Sequence, residues 1–206
     1  MVAIEIHTGT NGIKALARHA VALDPNAAMR MRYISAPQAD VFTNTPFSTL
    51  VARRAEVTLP QDKVTVRAQD IFDALTSCEP NRDFAEADSL WPGALPPADG
   101  FTAVEELPAG VVAELGEKGR EVARQFQGPL GPPASLLDQT IIEVNGAHKI
   151  PMRMIFTAQS FGLIPGANVP ANIPRIMRVA VNGRWIRLDS AFGSVYYNEA
   201  PSLFSL

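Results

Sequence analysis

The feature that most constrains the fold is an alternation of apolar and polar residues interrupted by one Asn-Gly dipeptide. Residues 178–188 read RVAVNGRWIRL. Asn-Gly favours a two-residue hairpin turn, because both residues accept a positive φ at little steric cost. A turn centred on Asn182 and Gly183 would place Arg178 directly opposite Arg187. The sequence therefore predicts a β-hairpin near the carboxyl end.

The predicted hairpin has one apolar face and one cationic face, because side chains alternate between the faces of a strand. The apolar face, which we expect to pack on the core, comprises Met177, Val179, Val181, Ile186 and Leu188, with Arg184 at the turn. The other face comprises Arg178, Ala180, Trp185, Arg187 and Asp189. A one-residue slip would move the apolar set into water, so we expect a firm register. The arginines either extend into solvent or pair with carboxylates such as Asp189, or they bind an anion or nucleic acid beside Trp185.

The rest of the chain predicts an α+β protein with two lobes, built from antiparallel strands with packed helices. In residues 1–76 a helix capped by Thr10 or Asn11 is followed by three or four antiparallel strands and a second helix. Residues 77–100 form an acidic connection broken by prolines. It is either a linker or an ordered belt pinned by Phe84, Leu90 and Trp91.

The C-terminal lobe, residues 101–206, opens with a helix predicted over residues 108–126. Its buried stripe is predicted to comprise Val111, Val112, Leu115, Gly119, Val122, Ala123 and Phe126. A strand over residues 140–144, a turn at Asn145 and Gly146, and an apolar helix over residues 151–163 follow. The hairpin and a strand at residues 194–197 complete the lobe.

Composition indicates a soluble, cytoplasmic chain. A single cysteine excludes an internal disulfide and suits a reducing compartment. No apolar run is long enough to cross a membrane. The formal net charge of −3 provides no global attraction to nucleic acid or to a membrane surface.

No catalytic, cofactor or metal motif is present in the sequence. The three histidines occupy unrelated segments without metal-ligand spacing. Ser135, Asp138 and His148 supply the residue types of a catalytic triad, but there is no G-x-S-x-G elbow, and a helix cap and a turn explain them better. We therefore predict no cofactor, no metal and no catalytic residue, and we lean away from an enzyme.

Four short motifs resemble a family of actinobacterial proteins described as uncharacterised. They are residues 132–139 (PPASLLDQ), 151–153 (PMR), 185–189 (WIRLD) and 193–196 (GSVY), with looser matches at 45–47 and 95–97. The resemblance implies no activity. The helix–strands–helix order of the N-terminal lobe also resembles half of a sliding-clamp repeat in topology.

These features favour a non-catalytic binding or interaction protein with an unidentified protein partner, and they leave self-association open. The candidate interaction surface comprises Arg178, Trp185, Arg187, Arg184 and Lys149. One alternative is a nucleic-acid-binding protein whose C-terminal lobe resembles a winged helix, although its recognition helix would carry only Arg153. The other alternative is a small-molecule enzyme of unrecognised type.

Overall fold

Two lobes share one mostly antiparallel sheet in the computed structural model, which describes residues 1–79, 81–125, 132–144 and 146–199. The N-terminal lobe consists of β1 (Val2–Ile6), α1 (Thr10–Leu23), β2 (Ala28–Ser35), β3 (Gln38–Asn44), β4 (Leu50–Thr58), β5 (Lys63–Arg67), α2 (Ala68–Thr76) and β6 (Asn81–Phe84). The C-terminal lobe consists of β7 (Thr102–Pro108), α3 (Ala109–Gln125), α4 (Ala134–Leu137), β8 (Thr140–Val144), β9 (His148–Pro151), α5 (Met152–Ser160), β10 (Ile176–Asn182), β11 (Trp185–Ser190) and β12 (Gly193–Asn198). The predicted α+β class is confirmed.

The lobes join where β4 pairs with β12. The strand order is β5-β2-β3-β4-β12-β11-β10-β7, and β1 pairs with β4 and β6 beside this path. Leu50, Val51 and Ala52 of β4 lie opposite Tyr196, Val195 and Ser194 of β12. The sheet is therefore continuous from one lobe to the other. β8 and β9 form a separate two-stranded sheet.

The core lies between one face of the sheet and the helices. It contains fully buried side chains from four helices, such as Ile13 of α1, Ile71 of α2, Val112 of α3 and Ile155 of α5. Burying an aliphatic side chain of this size contributes about 1.5–3 kcal/mol. Alternate strand residues point to the opposite face, called the outer face below. Four of them, Ala28, Phe42, Ala52 and Tyr196, form a smaller cluster there together with Trp91 of the connection between the lobes.

The connection between the lobes packs on the protein as an ordered belt. β6 pairs with β1, and Phe84 and Trp91 are only 2% and 8% exposed. Ala87 N–H also donates a hydrogen bond to the carbonyl of Thr65 in β5. The belt interpretation is therefore confirmed for the part of residues 77–100 that the structure describes. Division of the chain at residues 76 and 101 stays a prediction.

The predicted cap of α1 is wrong, and the predicted buried stripe of α3 is right only in part. Gly9, with φ 76°, precedes α1, so neither Thr10 nor Asn11 is its cap. A Cβ at Gly9 would lie 3.2 Å from Ala55 Cβ, so the close approach of α1 to β4 leaves little room for a side chain. In α3, Val112 and Gly119 of the predicted stripe are buried, together with Ala109 and Gly116, whereas Val111 and Val122 of that stripe are exposed.

The chain before α3 also differs from the prediction. Residues 102–108 form the strand β7, which the sequence conceals because most of its residues are exposed. Pro108 therefore ends a strand instead of opening a helix. The predicted positions Phe126 and Asn145 lie outside the described residues.

Candidate interaction surface

The hairpin turn consists of Gly183 and Arg184, so the predicted turn at Asn182 and Gly183 is wrong. Gly183 has φ 56°, and in the described part of the chain only Ser48 and Cys78 combine a side chain with positive φ. A positive φ at the first loop position alone matches a type II′ turn, which favours glycine there. Asn182 instead pairs with Trp185, and its side-chain amide donates a 2.8 Å hydrogen bond to the carbonyl of Asp99.

The new turn shifts the pairing by two residues and leaves the faces unchanged. Arg178 lies opposite Asp189 and Ala180 opposite Arg187, so the predicted opposition of two arginines is wrong. A shift of two residues keeps every side chain on its face, because the side-chain period of a strand is two. The apolar face is confirmed, since Val179 and Ile186 are 0% and 1% exposed.

Both arginines of the cationic face bind carboxylates. Arg178 Nη2 lies 2.8 Å from Glu106 Oε1 of β7, with about half of each side chain exposed. Arg187 Nη2 lies 2.9 Å from Asp189 Oδ2, and this pair is about three-quarters buried. The expectation that arginines of this face pair with carboxylates such as Asp189 is confirmed. Their charges are thereby largely neutralised.

The structure brings together only some of the candidate residues. Arg178, Trp185 and Arg187 share one face of the hairpin, and Arg184 is exposed in its turn. Lys149 is exposed on β9, opposite Glu143, in the separate two-stranded sheet. The use of these residues as an interaction surface stays a prediction.

Trp185 lines a cavity of about 330 Å³ between the belt and the outer face, which we call the tryptophan pocket. Its main lining residues are Asn44, Leu50, Trp91, Trp185, Tyr196 and Asn198. It therefore lies over the junction of the lobes and contains both tryptophans of the chain. Asn44 Oδ1 is buried, and no residue in the described part of the chain donates a hydrogen bond to it. The pocket thus combines aromatic walls with one unsatisfied acceptor.

Aromatic contacts hold Phe101, the residue that follows the belt, against the outer face of the sheet. The guanidinium of Arg187 lies 4.5 Å from the ring centroid of Phe101, within the range of a cation–π interaction. Phe101 also meets the ring of Tyr196 edge-on at 5.9 Å. Arg187 therefore has a structural role, because it joins the hairpin to the end of the belt.

Sequence reasoning identified Trp185 and Trp91 separately and missed Asn44, Leu50 and Tyr196 as their neighbours. These residues come from β3, β4 and β12, which are distant in the chain. Only the strand order of the sheet brings them together, and no local spacing in the sequence signals it.

The winged-helix alternative is wrong as an architecture. A recognition helix must expose a face to a DNA groove, whereas six of the nine residues of α5 are buried. Arg153 on this helix donates to the carbonyl of Phe47 and pairs with Asp138. The helix cap predicted at Ser135 is wrong, because Pro133 is the residue that precedes α4. Asp138 pairs with Arg153 instead.

Residues 96–202, just over half of the chain, match the family described as "Domain of unknown function (DUF8185)". The chain belongs to DUF8185. Residues 4–93 match a second domain of unknown function, DUF8010. The two matched segments meet within the belt of this DUF8185 chain. The predicted resemblance to an uncharacterised family is confirmed, whereas its actinobacterial origin stays a prediction. No curated protein matches the sequence.

Solved sliding clamps share the fold of the DUF8185 chain. The sliding clamp (DNA polymerase III subunit beta) from Bartonella birtlesii, bound to griselimycin, has a TM-score of 0.57 at 10% identity, covering 98% of this chain and 66% of that one. For Caulobacter crescentus pol III beta the values are 0.55, 10%, 99% and 66%. For the Bacillus subtilis polymerase sliding clamp they are 0.55, 8%, 99% and 67%.

The clamp likeness of the DUF8185 chain is a likeness of fold alone at this level of identity. The chain spans about two thirds of the length of these clamp chains. The topological resemblance predicted for the N-terminal lobe is confirmed and extends over nearly the whole chain.

The described residues of the DUF8185 chain hold no group of three or more His, Cys, Asp or Glu side chains that could bind a metal ion. In the same part of the chain, no helix is both long and apolar enough to cross a membrane. The titratable group with a large shift is Tyr196, where burial raises the pKa of the hydroxyl to about 12. That shift makes Tyr196 a poorer acid at neutral pH, so it does not indicate a catalytic group.

Proposed function

We propose that this chain is a non-catalytic interaction protein that holds an apolar peptide segment of a partner protein in the tryptophan pocket. The observation that carries the proposal is the position of both tryptophans on one open cavity over the lobe junction. Tryptophan supplies much of the binding energy at protein interfaces, because it buries a large area with little loss of conformational freedom.

The polar groups of the pocket favour an extended peptide as the occupant. Asn44 Oδ1 is a buried acceptor to which none of the described residues donates, and such a group costs about 1–3 kcal/mol. A backbone N–H of an extended segment can satisfy it while a neighbouring bulky side chain contacts Trp91 and Trp185. Among the five candidate residues of the interaction surface, Trp185 contacts the peptide. Arg187 instead contacts Phe101 at the end of the belt.

The distribution of charge disfavours nucleic acid as the main partner. Arg178 and Arg187 are paired with carboxylates on the hairpin. On the helical side, α1 carries two basic residues and no acidic one, α2 carries two aspartates, and the described α3 carries three residues of each sign. The surface formed by α1, α2 and the described part of α3 is therefore not the continuous basic surface that binding to phosphate backbones requires.

The shared fold supports an interaction role. The structural relatives are named sliding clamps, and the Bartonella protein is named a subunit of DNA polymerase III. A name of that kind describes a component of a larger assembly. We extend to this chain only the role of an assembly component that binds a protein partner. The cytoplasmic location indicated by composition stays a prediction.

Selection from a displayed library of random peptides tests the proposal. Peptides that bind the wild-type chain and are retained after counter-selection on Trp185→Ala should carry bulky apolar side chains. Loss of such an anchor costs about 2 kcal/mol or more, or roughly thirtyfold in Kd. Val111→Ala, which removes an exposed apolar side chain on α3, is the matched control.

The outcomes separate clearly. A set of peptides whose affinity drops with Trp185→Ala and persists with Val111→Ala supports the proposal, provided that both variants keep the wild-type melting temperature. Absence of any enriched peptide, or affinity unchanged by Trp185→Ala, would contradict it. Salt-dependent binding of DNA at the wild-type chain would favour nucleic acid instead.

A further inference from the structure

A second cavity, of about 440 Å³, lies where β4 and β12 separate. The two strands pair through only three residue pairs, which end at Ala52 and Ser194. Beyond this point β4 continues beside β3, whereas the chain turns at residues 190–193 between β11 and β12. We call the resulting opening the arginine cleft, because Arg53, Arg54 and Arg187 line it.

Two of the three arginines are already paired. Arg54 donates through Nε and Nη2 to the two carboxylate oxygens of Asp40, at 2.8 and 3.2 Å. Arg187 binds Asp189 at 2.9 Å. All five charged side chains line the cleft, and three cations against two anions leave one positive charge. That charge belongs to Arg53.

The side chain of Arg53 has no ion pair or hydrogen bond to any residue that the structure describes. Its Nε is buried and has no acceptor among the described residues, and burial lowers the pKa of its guanidinium. An unsatisfied charged donor of this kind is costly, and such groups normally bind a counter-charge or a ligand. The cleft is the open space to which this side chain contributes.

Two glycines make room for Arg53 in this position. A Cβ at Gly12 of α1 would lie 3.4 Å from both Cδ and Nη1 of Arg53. A Cβ at Gly193 would lie 3.2 Å from Arg53 Cγ and 2.6 Å from the carbonyl oxygen of Ala52. The side chain therefore runs between α1 and the 190–193 turn, which places its guanidinium beside the cleft.

We infer that the arginine cleft binds a small oxyanion of the phosphate type, with Arg53 as the principal ligand. Guanidinium groups match such anions in geometry, because their N–H donors can pair with two oxygens at once. Gly9 and Gly12 also line the cleft at the start of α1, where no side chain caps the helix. The volume exceeds that of free phosphate, so a small phosphomonoester also fits.

The site is distinct from the tryptophan pocket and does not depend on the proposed function. The two cavities have one lining residue in common, Tyr196. Arg53 lines the cleft, whereas Trp91 and Trp185 line only the pocket. Each site can therefore fail its test without affecting the other.

Titration of the full chain with inorganic phosphate, followed by amide NMR at constant ionic strength, tests the inference. We expect saturable shifts at Gly9, Gly12 and Gly193 with phosphate and not with chloride. Ribose 5-phosphate, titrated in parallel, distinguishes a phosphomonoester from free phosphate as the better ligand. Arg53→Gln should weaken binding by about ten- to hundredfold, as expected for loss of a charge-assisted hydrogen bond.

The controls keep the test decisive. Arg184→Gln makes the same change of charge at an exposed turn and should bind phosphate like the wild type, as should Trp185→Ala. If Arg53→Gln fails to fold, the location of the wild-type shifts decides the question. Absence of saturation at millimolar phosphate, shifts that map elsewhere, or equal loss of affinity in Arg184→Gln would overturn the inference.

Discussion

Tyr196 lines both the tryptophan pocket and the arginine cleft. Its side chain is 5% exposed, and its ring packs 5.7 Å from Phe42 and 5.9 Å from Phe101. Burial, assisted by the carboxylate of Asp40, raises the pKa of its hydroxyl to about 12 even though Arg187 acts in the opposite direction. Tyr196 is therefore neutral at physiological pH and adds no charge to either cavity.

We expect ionisation of Tyr196 to destabilise the fold in alkaline solution. The pKa of the hydroxyl is 10.0 in the unfolded chain and about 12 in the folded one. The unfolded state loses its proton first, so the free energy of unfolding falls as the pH rises between these values, by at most about 3 kcal/mol. In Tyr196→Phe the free energy of unfolding, measured by denaturant titration, should fall less steeply over this pH range. Identical pH dependence in the two proteins would contradict the expected burial.

Asn182 shows what a single residue can and cannot indicate in advance. The Asn-Gly dipeptide correctly predicted a hairpin, because Gly183 does adopt a positive φ. It did not indicate that Asn182 would donate to the carbonyl of Asp99. That contact depends on where the belt ends, which is a property of the tertiary structure. Asn182, which the sequence places in the turn, therefore connects the hairpin to the belt through this hydrogen bond.

At the scale of elements, α3 approaches α5 through its glycines. A Cβ at Gly119 would lie 2.5 Å from Met152 Cε and 2.9 Å from Phe156 Cε1, and one at Gly116 would lie 2.3 Å from the Gln159 side chain. The helices therefore pack so closely that small residues are required on this face. This explains why the apolar stripe containing Val111 and Val122 is not the buried one.

Gly119→Ala and Gly110→Ala should change stability in opposite directions. Alanine is the better helix former by about 0.5–1 kcal/mol, and Gly110 is exposed with nothing within 4 Å of an added Cβ. Gly110→Ala should therefore stabilise the protein by about that amount. At Gly119 the Phe156 ring must move, and overpacking costs about 1–3 kcal/mol, so the substitution should destabilise. Chemical denaturation of both variants measures the difference; a stabilising Gly119→Ala would show that the helices are farther apart.

Elements with a strong local pattern were predictable, and those set by their neighbours were not. β2 and β4 follow from apolar and β-branched runs bounded by turns, and α1 follows from its apolar spacing. β7 was missed because it is largely exposed, with Glu105 and Glu106 among its side chains. The faces of the hairpin were right, because they depend on the alternation of side chains. The register was wrong by two residues, because it depends on which turn type forms.

At the scale of the whole molecule, the lobes are joined by more than the three β4–β12 pairs. The hydroxyl groups of Thr49 and Thr157 lie 2.7 Å apart in the buried region between the lobes. Arg153 Nη1 donates a 2.8 Å hydrogen bond to the carbonyl of Phe47 in the N-terminal lobe. These contacts fix the relative position of the strands that form both cavities.

The candidate sites could be predicted only in part from the sequence. Trp185 stands out because it is an aromatic residue on the cationic face of the hairpin. Arg53 has no such signal, because its lack of a partner depends on where α1, Gly193 and the two aspartates lie in the fold. Lys149 was included because of its charge and lies outside the sheet that carries the hairpin. Charge and residue type indicate candidates, and strand order decides which of them meet.

The most direct test of the proposed function uses the tryptophans themselves as probes. Trp91→Phe leaves Trp185 as the single tryptophan of the chain, and the accessibility of its indole can be measured by acrylamide quenching of its fluorescence. A peptide selected on the wild-type chain should reduce this quenching when it saturates the variant, because it covers Trp185 in the pocket. Saturating peptide that leaves the quenching of Trp185 unchanged would show that the partner binds elsewhere and would contradict the account.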